Sequence, residues 1–349
     1  MRFCKVFVIF AAVVIISASW ASAQEIIINA VGDIMLAGSG AATCKRLGYD
    51  YPFKATKAEL KKGDIAIGNL ESPIARCGST FTCKQFHYRS APEVATALKN
   101  AGFSLVTLAN NHMMDFGPEA LEETRQHLEQ AGIGYTGAGA SINAARRRVI
   151  ITVKGMKVAF LAYSLTFPDA FYATADRSGT APGFYTFYRG DISAARKVAD
   201  YVVVSFHWGT ENVSVPKPYQ VTTAHRAIDA GADVVIGHHP HVLQGIERYK
   251  NGVILYSLGN FAFGTASETA KRSVIARVIL ENGVKGLELI PLNVLNREVH
   301  FQPRVLSGNE GQEVIDHLTS ISRKWDTTIT ATGGHYLVWM GTAERLSRK

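Results

Sequence analysis

Short apolar runs alternate with amphipathic stretches along most of the chain. The apolar runs have the length of buried strands and end in polar or glycine residues. They predict strands at residues 25–31, 64–68, 104–108, 149–153, 157–162, 201–206, 233–236 and 252–257. Helices are predicted at residues 118–130, with proline at the first turn and Gly132 just past the end, and at residues 221–230. Strands separated by helices predict an α/β fold whose largely parallel sheet is covered on both faces.

The pattern changes beyond Asn260. Residues 274–280, 287–292 and 298–301 predict antiparallel strands that complete a second sheet, and residues 312–323 predict a terminal helix. Residues 165–190, rich in aromatic residues and glycine, are expected to form a long loop over the site. We find no linker, repeat or low-complexity tract, so residues 24–349 are expected to form a single domain.

The N-terminus has the features of an export signal. Arg2 and Lys5 precede an apolar stretch that ends in the small-residue sequence Ala21-Ser22-Ala23. We expect cleavage before Gln24, which would place the mature protein in the periplasm or outside the cell. An uncleaved signal, which would associate the protein with the membrane, is the alternative.

Composition narrows the set of partners. The chain has 349 residues, 47% of them hydrophobic, and a formal charge of +8, of which +6 remains without Arg2 and Lys5. Arg146-Arg147-Arg148 is the longest basic run, so nucleic acid is not an expected partner, whereas an anionic polymer is compatible with the mild excess. Cys77 and Cys83 flank a short turn, and we expect them, rather than Cys44, to pair if an exported chain is oxidised.

Candidate metal ligands follow the predicted strands. His239 and His241 come directly after an apolar run, and alternate residues of a strand point to one face. Taken singly, each candidate has an ordinary explanation as a turn residue, a loop acid or a core histidine. Jointly they are expected to meet, because ligands of open α/β sheets bind beyond the carboxyl ends of the strands. The set is Asp33, Glu71, Asn111, His112, His207, His239 and His241.

The chemistry of these side chains favours particular metals. Carboxylates, an amide oxygen and imidazoles suit Mn, Fe or Zn better than purely hard ions or Cu(I). Two ions sharing Asp33 or Glu71 could clamp the attacking and leaving oxygens of a displacement. Divalent metal ions, two of them, are therefore the expected cofactors.

The order of the motifs resembles that of the CapA family of bacterial poly-γ-glutamate capsule biosynthesis proteins, a branch of the calcineurin-like metallophosphoesterases. The resemblance covers about residues 26–265. It rests on these motifs: Gly32-Asp33-Ile34-Met35; Gly68-Asn69-Leu70-Glu71-Ser72-Pro73; Leu108-Ala109-Asn110-Asn111-His112 with Asp115 and Gly117; His207-Trp208-Gly209 with Glu211; Gly237-His238-His239-Pro240-His241-Val242-Leu243-Gln244; and Ser257-Leu258-Gly259-Asn260-Phe261.

The resemblance implies a four-layer α-β-β-α sandwich with a dinuclear metal site. By position it implies that the ligands are Asp33, Glu71 as the bridging acid, Asn111, His207, His239 and His241. The wider superfamily has Asp-x-His at its first motif, whereas here Met35 stands in the place of the histidine, as is usual in the CapA branch. One metal therefore lacks a histidine ligand, and Glu71 replaces the usual bridging aspartate.

Further residues receive expected roles in catalysis and substrate binding. The resemblance implies that His112 is the acid near the leaving group, and we expect Asp115 to orient it. Arg89, Trp208 and Glu211 are candidate substrate-binding residues, because an arginine fork suits planar anions and an indole can line a groove. A surface salt bridge for Arg89 and core packing for Trp208 are the alternatives.

Three functions are compatible with the sequence. The first is a metal-dependent hydrolase or transferase acting on poly-γ-glutamate or a related envelope polymer. The second is a phosphoesterase. The third is a non-catalytic partner of a polymer synthase or exporter, in which the site only binds.

Overall fold

The computed structural model describes residues 24–340, and the predicted export signal lies outside that range. The strands, in chain order, are β1 Ile26–Ile34, β2 Ile65–Leu70, β3 Leu105–Thr107, β4 Gly134–Thr136, β5 Ala138–Gly139, β6 Val149–Val153, β7 Met156–Ser164, β8 Gly179–Thr180, β9 Tyr201–His207, β10 Val234–His238, β11 Leu243–Tyr249, β12 Gly252–Leu258, β13 Arg272–Leu280, β14 Val284–Asn293, β15 Arg304–Val305, β16 Thr330–Thr332 and β17 His335–Trp339. The α-helices are α1 Ser39–Leu47, α2 Lys57–Leu60, α3 Glu93–Ala101, α4 Gly117–Gln130, α5 Ile142–Ala145, α6 Tyr185–Arg196, α7 Pro218–Asp229, α8 Asn296–Val299 and α9 Gly308–Ser322.

Two large mixed sheets form the centre of the fold. The first has the order β16-β17-β14-β13-β1-β2-β3-β4, with β15 beside β14, and its β1 to β4 run parallel. The second has the order β11-β12-β10-β9-β7-β6, and its four inner strands run parallel. A separate two-stranded ribbon pairs β5 with β8.

The two sheets pack face to face and carry helices on their outer faces. Ile28 of the first sheet and Phe160 and Val234 of the second belong to one apolar cluster between the sheets. A second cluster joins the outer face of the first sheet to α3 and α4, and a third joins the outer face of the second sheet to α6 and α7. The layers are therefore helix, sheet, sheet, helix, which confirms the predicted four-layer α-β-β-α fold.

The structure corrects three local predictions. Residues 298–301 form the end of α8 and a left-handed turn at His300 and Phe301, not a strand. Strands β13 and β14 extend the first sheet beside β1, rather than completing a second sheet. Residues 165–190 contain β8 and the start of α6, whose Tyr188 is buried, so this segment is only partly a loop.

None of the helices within residues 24–340 combines the length and apolar character that a bilayer-spanning segment requires. Cys44, Cys77 and Cys83 are all free thiols in the structure. The predicted pairing of Cys77 with Cys83 is therefore not observed.

Candidate metal centre

The carboxyl ends of the parallel strands from both sheets converge at one edge. A bulge after Ala30 brings Asp33 opposite Asn69 of β2, while His207 of β9 pairs with His238 of β10. The two sheets meet where Asp33 forms an isolated bridge with Asn260, which follows β12. The predicted ligands from distant segments therefore share one site, as expected for the strand ends of open α/β sheets.

Two glycines allow the backbones to approach so closely. A Cβ built on Gly32 would lie 1.9 Å from the carbonyl oxygen of Gly259, and one built on Gly237 would lie 1.9 Å from that of Tyr256. Each glycine immediately precedes a residue of the site, Asp33 or His238. No larger residue fits at these two positions without movement of the backbone.

The acidic floor of the site is fully buried. Asp33 and Glu71 have no exposed surface, and the Asn69 amide donates to Asp33 Oδ1 at 2.8 Å and to Glu71 Oε2 at 3.4 Å. The same amide nitrogen lies 3.3 Å from His207 Nδ1. Asn69 therefore holds the two acids and one imidazole in a fixed arrangement.

The imidazoles close over these acids. His207 Nε2 lies 3.5 Å and His241 Nε2 3.8 Å from Glu71 Oε1, and His207 Nε2 donates to Asn111 Oδ1 at 2.8 Å. The His239 ring centroid is 4.8 Å from that of His207. All six predicted metal ligands consequently lie in one cluster.

Strained backbone positions the last two histidines. β10 ends at His238, so His239 and His241 lie beyond the strand, and both have a positive φ, 93° and 59°. The argument from strand alternation was therefore wrong, although the two side chains do reach the same site. Non-glycine residues adopt such angles rarely, and they cluster at functional sites.

The donor atoms fit divalent ions. Two donors that each lie about 2.1 Å from one ion can be at most about 4.2 Å apart, which the contacts between Glu71 and the two imidazoles satisfy. Three sets of potential ligand atoms lie within 4.8 Å of one another: Glu71 with His207 and His239, Asp33 with Glu71 and His241, and Glu211 with His239 and His241. Glu71 Oε1 and His239 Nδ1 are buried without a hydrogen-bond partner in the structure, which is costly unless another group satisfies them.

The ionisable groups within the site alter one another's pKa. Burial, and then the neighbouring imidazole charge, lowers the pKa of His207 well below its usual value and that of His239 to about 3. Burial also acts against the charged form of His241, but the Glu71 carboxylate and the hydrogen bond with Asp33 outweigh it and raise the pKa to about 10. His207 and His239 are thus neutral and able to bind a cation, whereas His241 carries a proton that a bound ion would displace.

The two carboxylic acids respond in opposite directions. Burial opposes ionisation of Asp33, but its hydrogen bonds with His238 and His241 lower its pKa well below the usual value. Burial and then the charge of Asp33 raise the pKa of Glu71 well above the usual value. A cation between the two acids would relieve this repulsion.

A second group of side chains lines the solvent side of the acidic floor. His112 Nδ1 donates to Asp115 Oδ2 at 2.7 Å, and Lys84 Nζ donates to Asp115 Oδ1 at 2.7 Å. The Tyr88 backbone N–H donates to the same carboxylate, and the Tyr88 ring packs edge-on against His112 at 5.0 Å. Burial lowers the pKa of His112 despite the opposing charge of Asp115, so the imidazole is neutral at physiological pH.

Two of the predicted substrate-binding residues do not face the site. Trp208 is fully buried, donates from Nε1 to the Tyr256 carbonyl and stacks on Phe206, so it belongs to the core and cannot line a groove. Arg89 donates to the Cys77 carbonyl and lies over the Phe116 ring, where it fastens a loop. Glu211, the third, is exposed beside His239 and His241.

Four residues of the site were missed from the sequence. Asn69 lies two residues before Glu71, so strand alternation could have placed both on one face. His238 and Asn260 stand in motifs that were noted without a role, and Asn260 Oδ1 accepts from His241 Nδ1 at 2.8 Å. Lys84 lies in an irregular segment far beyond β2, and no local pattern could have found it.

A four-layer sandwich with carboxylates and imidazoles gathered at its strand ends defines a candidate metal-binding α/β protein. The model of the bacterial capsule synthesis protein PGA_cap family matches residues 27–265, and the chain belongs to that family. This confirms the predicted membership of the CapA family of capsule and poly-glutamate biosynthesis proteins.

Individual relatives agree with this assignment. The chain is 34% identical to the capsule biosynthesis protein CapA of Bacillus anthracis, over 84% of this chain and 76% of the relative. It is 32% identical to the PGA biosynthesis protein CapA of Bacillus subtilis, over 76% of this chain and 70% of the relative. Among solved structures, a 5'-nucleotidase precursor from Thermus thermophilus aligns with a TM-score of 0.48 and 13% identity, covering 88% of this chain and 61% of that one.

Proposed function

We propose that this protein is an exported, metal-dependent hydrolase or transferase that acts on poly-γ-glutamate or a related anionic envelope polymer. The relatives named for capsule and PGA biosynthesis support the choice of polymer. The observation that carries the proposal of catalysis is the buried Glu71 carboxylate, whose Oε1 lies within 3.8 Å of two imidazoles and has no hydrogen-bond partner among the described residues.

The ligand sets around Glu71 support two divalent ions, of Mn, Fe or Zn. Asp33 and His241 would hold one ion, and Asn111, His207 and His239 the other, with Glu71 between them. Such ions supply an activated water and a Lewis acid when bound. Mixed carboxylate and imidazole donors are the reason for preferring these three metals.

The protein's own contribution to proton transfer is the pair of His112 and Asp115. Asp115 fixes the His112 ring through Nδ1, so Nε2 remains to exchange a proton with the substrate. Lys84, bonded to the same carboxylate, adds a positive charge at the rim that favours an anionic substrate. Asp115 is thus a positioning residue, and His112 is the candidate acid once its Nε2, which is unprotonated in the neutral ring, has taken up a proton.

Incubation with purified poly-γ-glutamate tests this proposal, with chain length measured by size-exclusion chromatography. The wild type and His127→Ala are expected to shorten the polymer, whereas Glu71→Ala and His112→Ala are not. His127 is a matched control because it is a half-buried histidine on α4 that bonds Glu123 and lies outside the cluster. Equal shortening by the wild type and Glu71→Ala would defeat every catalytic role of this centre.

A phosphoesterase is the second candidate, because two ions around a shared carboxylate suit the displacement of a phosphate ester. Turnover of an aryl phosphate by the wild type and by His127→Ala, but not by His112→Ala, would favour it over polymer cleavage. If the purified protein neither contains nor takes up Mn, Fe or Zn, the remaining role is a non-catalytic partner of a polymer synthase or exporter.

Export is a separate part of the proposal and rests on the sequence of residues 1–23. We expect the mature protein in the periplasm or the medium, with Gln24 as its first residue. Cell fractionation and N-terminal sequencing check this. An intact N-terminus in the membrane fraction would instead indicate an uncleaved anchor.

A further inference from the structure

We propose that Glu211 is a protein ligand of the metal centre on its solvent side, and that it supplies a donor in place of the histidine that Met35 replaces. The inference rests on the metal centre proposed above and adds a residue to it. It changes the role of Glu211 from contacting substrate to binding metal.

The need for another donor arises on the Asp33 side of the centre. Asp33, Glu71 and His241 form the ligand set there, and Met35 stands where the wider superfamily has a histidine ligand. Met35 is buried, and its backbone N–H donates to the Ala262 carbonyl. A soft thioether also suits Mn²⁺ poorly, because that ion prefers oxygen donors.

Backbone hydrogen bonds fix the turn that carries Glu211. The Trp208 N–H donates to the His238 carbonyl at 3.1 Å, and the Asn212 N–H donates to the Pro240 carbonyl at 2.8 Å. The turn after β9 is thereby joined on both sides of Glu211 to the turn that holds His239 and His241. The backbone at Glu211 is consequently held beside the turn that carries both histidines.

The carboxylate itself is close to the imidazoles and not otherwise engaged. A Glu211 oxygen and one ring nitrogen each of His239 and His241 lie within 4.8 Å of one another. Within residues 24–340, no basic side chain approaches Glu211 to within 4.0 Å, so its carboxylate is unpaired and lies between 4.0 and 4.8 Å from the two imidazoles, near the span of about 4.2 Å that two donors of one ion can reach.

A buried unpartnered atom gives independent support. His239 is 8% exposed, and its Nδ1 has no hydrogen-bond partner in the structure. Glu71 Oε1 is likewise buried and unpartnered. Glu71 lies on the buried side of the two imidazoles, and Glu211, which is exposed, is the acid on their solvent side.

Metal binding to the whole protein tests the inference. Metal-free wild type, Glu211→Gln and Glu313→Gln are dialysed against graded Mn²⁺, and bound metal is measured by mass spectrometry. Glu313 is the control because it is an exposed glutamate on α9, outside the cluster. We expect the wild type and Glu313→Gln to bind alike, and Glu211→Gln to bind one ion at least about tenfold more weakly, since even residues that only support a ligand contribute about that much.

Visible absorption of Co²⁺-loaded protein provides a second readout, because its band intensities respond to a change in coordination. We expect the Glu211→Gln spectrum to differ from that of the wild type. Identical Mn²⁺ binding and Co²⁺ spectra for the two proteins would overturn the inference and leave the proposed function intact, including when Glu211→Gln alters only substrate turnover. A wild type that binds no metal would overturn both. Equal unfolding midpoints in EDTA verify that the variants fold.

Discussion

The two sheets contribute different atoms to the candidate centre. The first sheet provides the oxygen donors Asp33 and Glu71, and Asn111 follows its strand β3. The second sheet provides the nitrogen donors His207, His239 and His241, at or beyond the ends of β9 and β10. The candidate centre therefore lies where the two sheets meet and draws donors from both.

The two halves are also held in different ways. The oxygen donors lie in or next to regular strands and are tied together by one buried amide, Asn69. His239 and His241 instead lie in left-handed backbone. His239 N–H donates to Asp33 Oδ2 of the first sheet at 3.2 Å, and His241 donates to Asn260, which follows β12 and forms a bridge with Asp33. Regular structure thus sets one half, and contact with that half sets the other.

The largest expected effect is on metal binding and turnover. It comes from replacing Glu71, the oxygen donor shared by two ligand sets, and is compared with the loss of the nitrogen donor His207. Glu71→Gln should lose both ions and lower turnover more than about 100-fold, because Glu71 belongs to two ligand sets and supporting residues alone contribute about 10–100-fold. His207→Ala should lose only the ion on its own side. Metal content after dialysis checks this, and one tightly bound ion in Glu71→Gln would contradict the bridging role.

The next effect concerns the close approach of the backbones. Gly32→Ala in the first sheet and Gly237→Ala in the second should each destabilise the fold by about 2–3 kcal/mol, since the added methyl meets a backbone oxygen. Gly190→Ala is the control, because a Cβ there meets nothing within 4 Å and the residue lies inside α6. It should stabilise by about 0.5–1 kcal/mol. Urea unfolding measures all three variants. An unchanged free energy of unfolding in Gly237→Ala would show that the backbone of the second sheet can move to accommodate the methyl group.

A smaller effect tests how the oxygen donors are held. Asn69→Ala removes the amide that bonds Asp33 and Glu71 and should weaken metal binding about tenfold. Asn100→Ala, which removes an exposed amide paired with Asp50, should leave binding unchanged. Titration with Mn²⁺ measures both. Unchanged affinity in Asn69→Ala would mean that the strands alone position the acids.

The smallest expected effect is on stability and concerns Glu123. This residue anchors the irregular connection that carries Lys84 and Tyr88 from the first sheet to the site. Glu123 Oε2 accepts the backbone N–H groups of Arg76 and Cys77, both at 2.9 Å. Burial opposes its ionisation, but a hydrogen bond from the Cys77 thiol, and then those from these two N–H groups, lower the pKa of Glu123 from 4.5 to about 2. The carboxylate therefore stabilises the fold above about pH 4.5, and this contribution is lost as the pH falls towards 2.

Glu123→Gln should accordingly cost about 1–2 kcal/mol at pH 7, as expected for a hydrogen bond to a charged group at a partly exposed position. The difference from the wild type should shrink steadily below pH 4.5. Urea unfolding at several pH values measures it. A difference that does not vary between pH 7 and 3 would show that the charge of Glu123 has no part in anchoring the connection.

The sequence by itself determined most of the long buried strands and the polar residues that end them, but not β11, α1, α3 or α6. Period-two and period-3.6 patterns record which side chains face a core, so β9, β10 and α4 were predicted to within a few residues. Because ligands of open α/β sheets bind beyond the carboxyl ends of the strands, the sequence also predicted that Asp33, Glu71 and His207 lie at one edge.

Only the tertiary structure decided which side chains join that edge and which turn into the core. Trp208 follows His207 directly, yet strand alternation buries it against Tyr256. Lys84 reaches Asp115 because an irregular segment folds back through hydrogen bonds between residues far apart in sequence. Such contacts leave no periodic trace in the chain, since the free energy that fixes them comes from partners that only folding brings together.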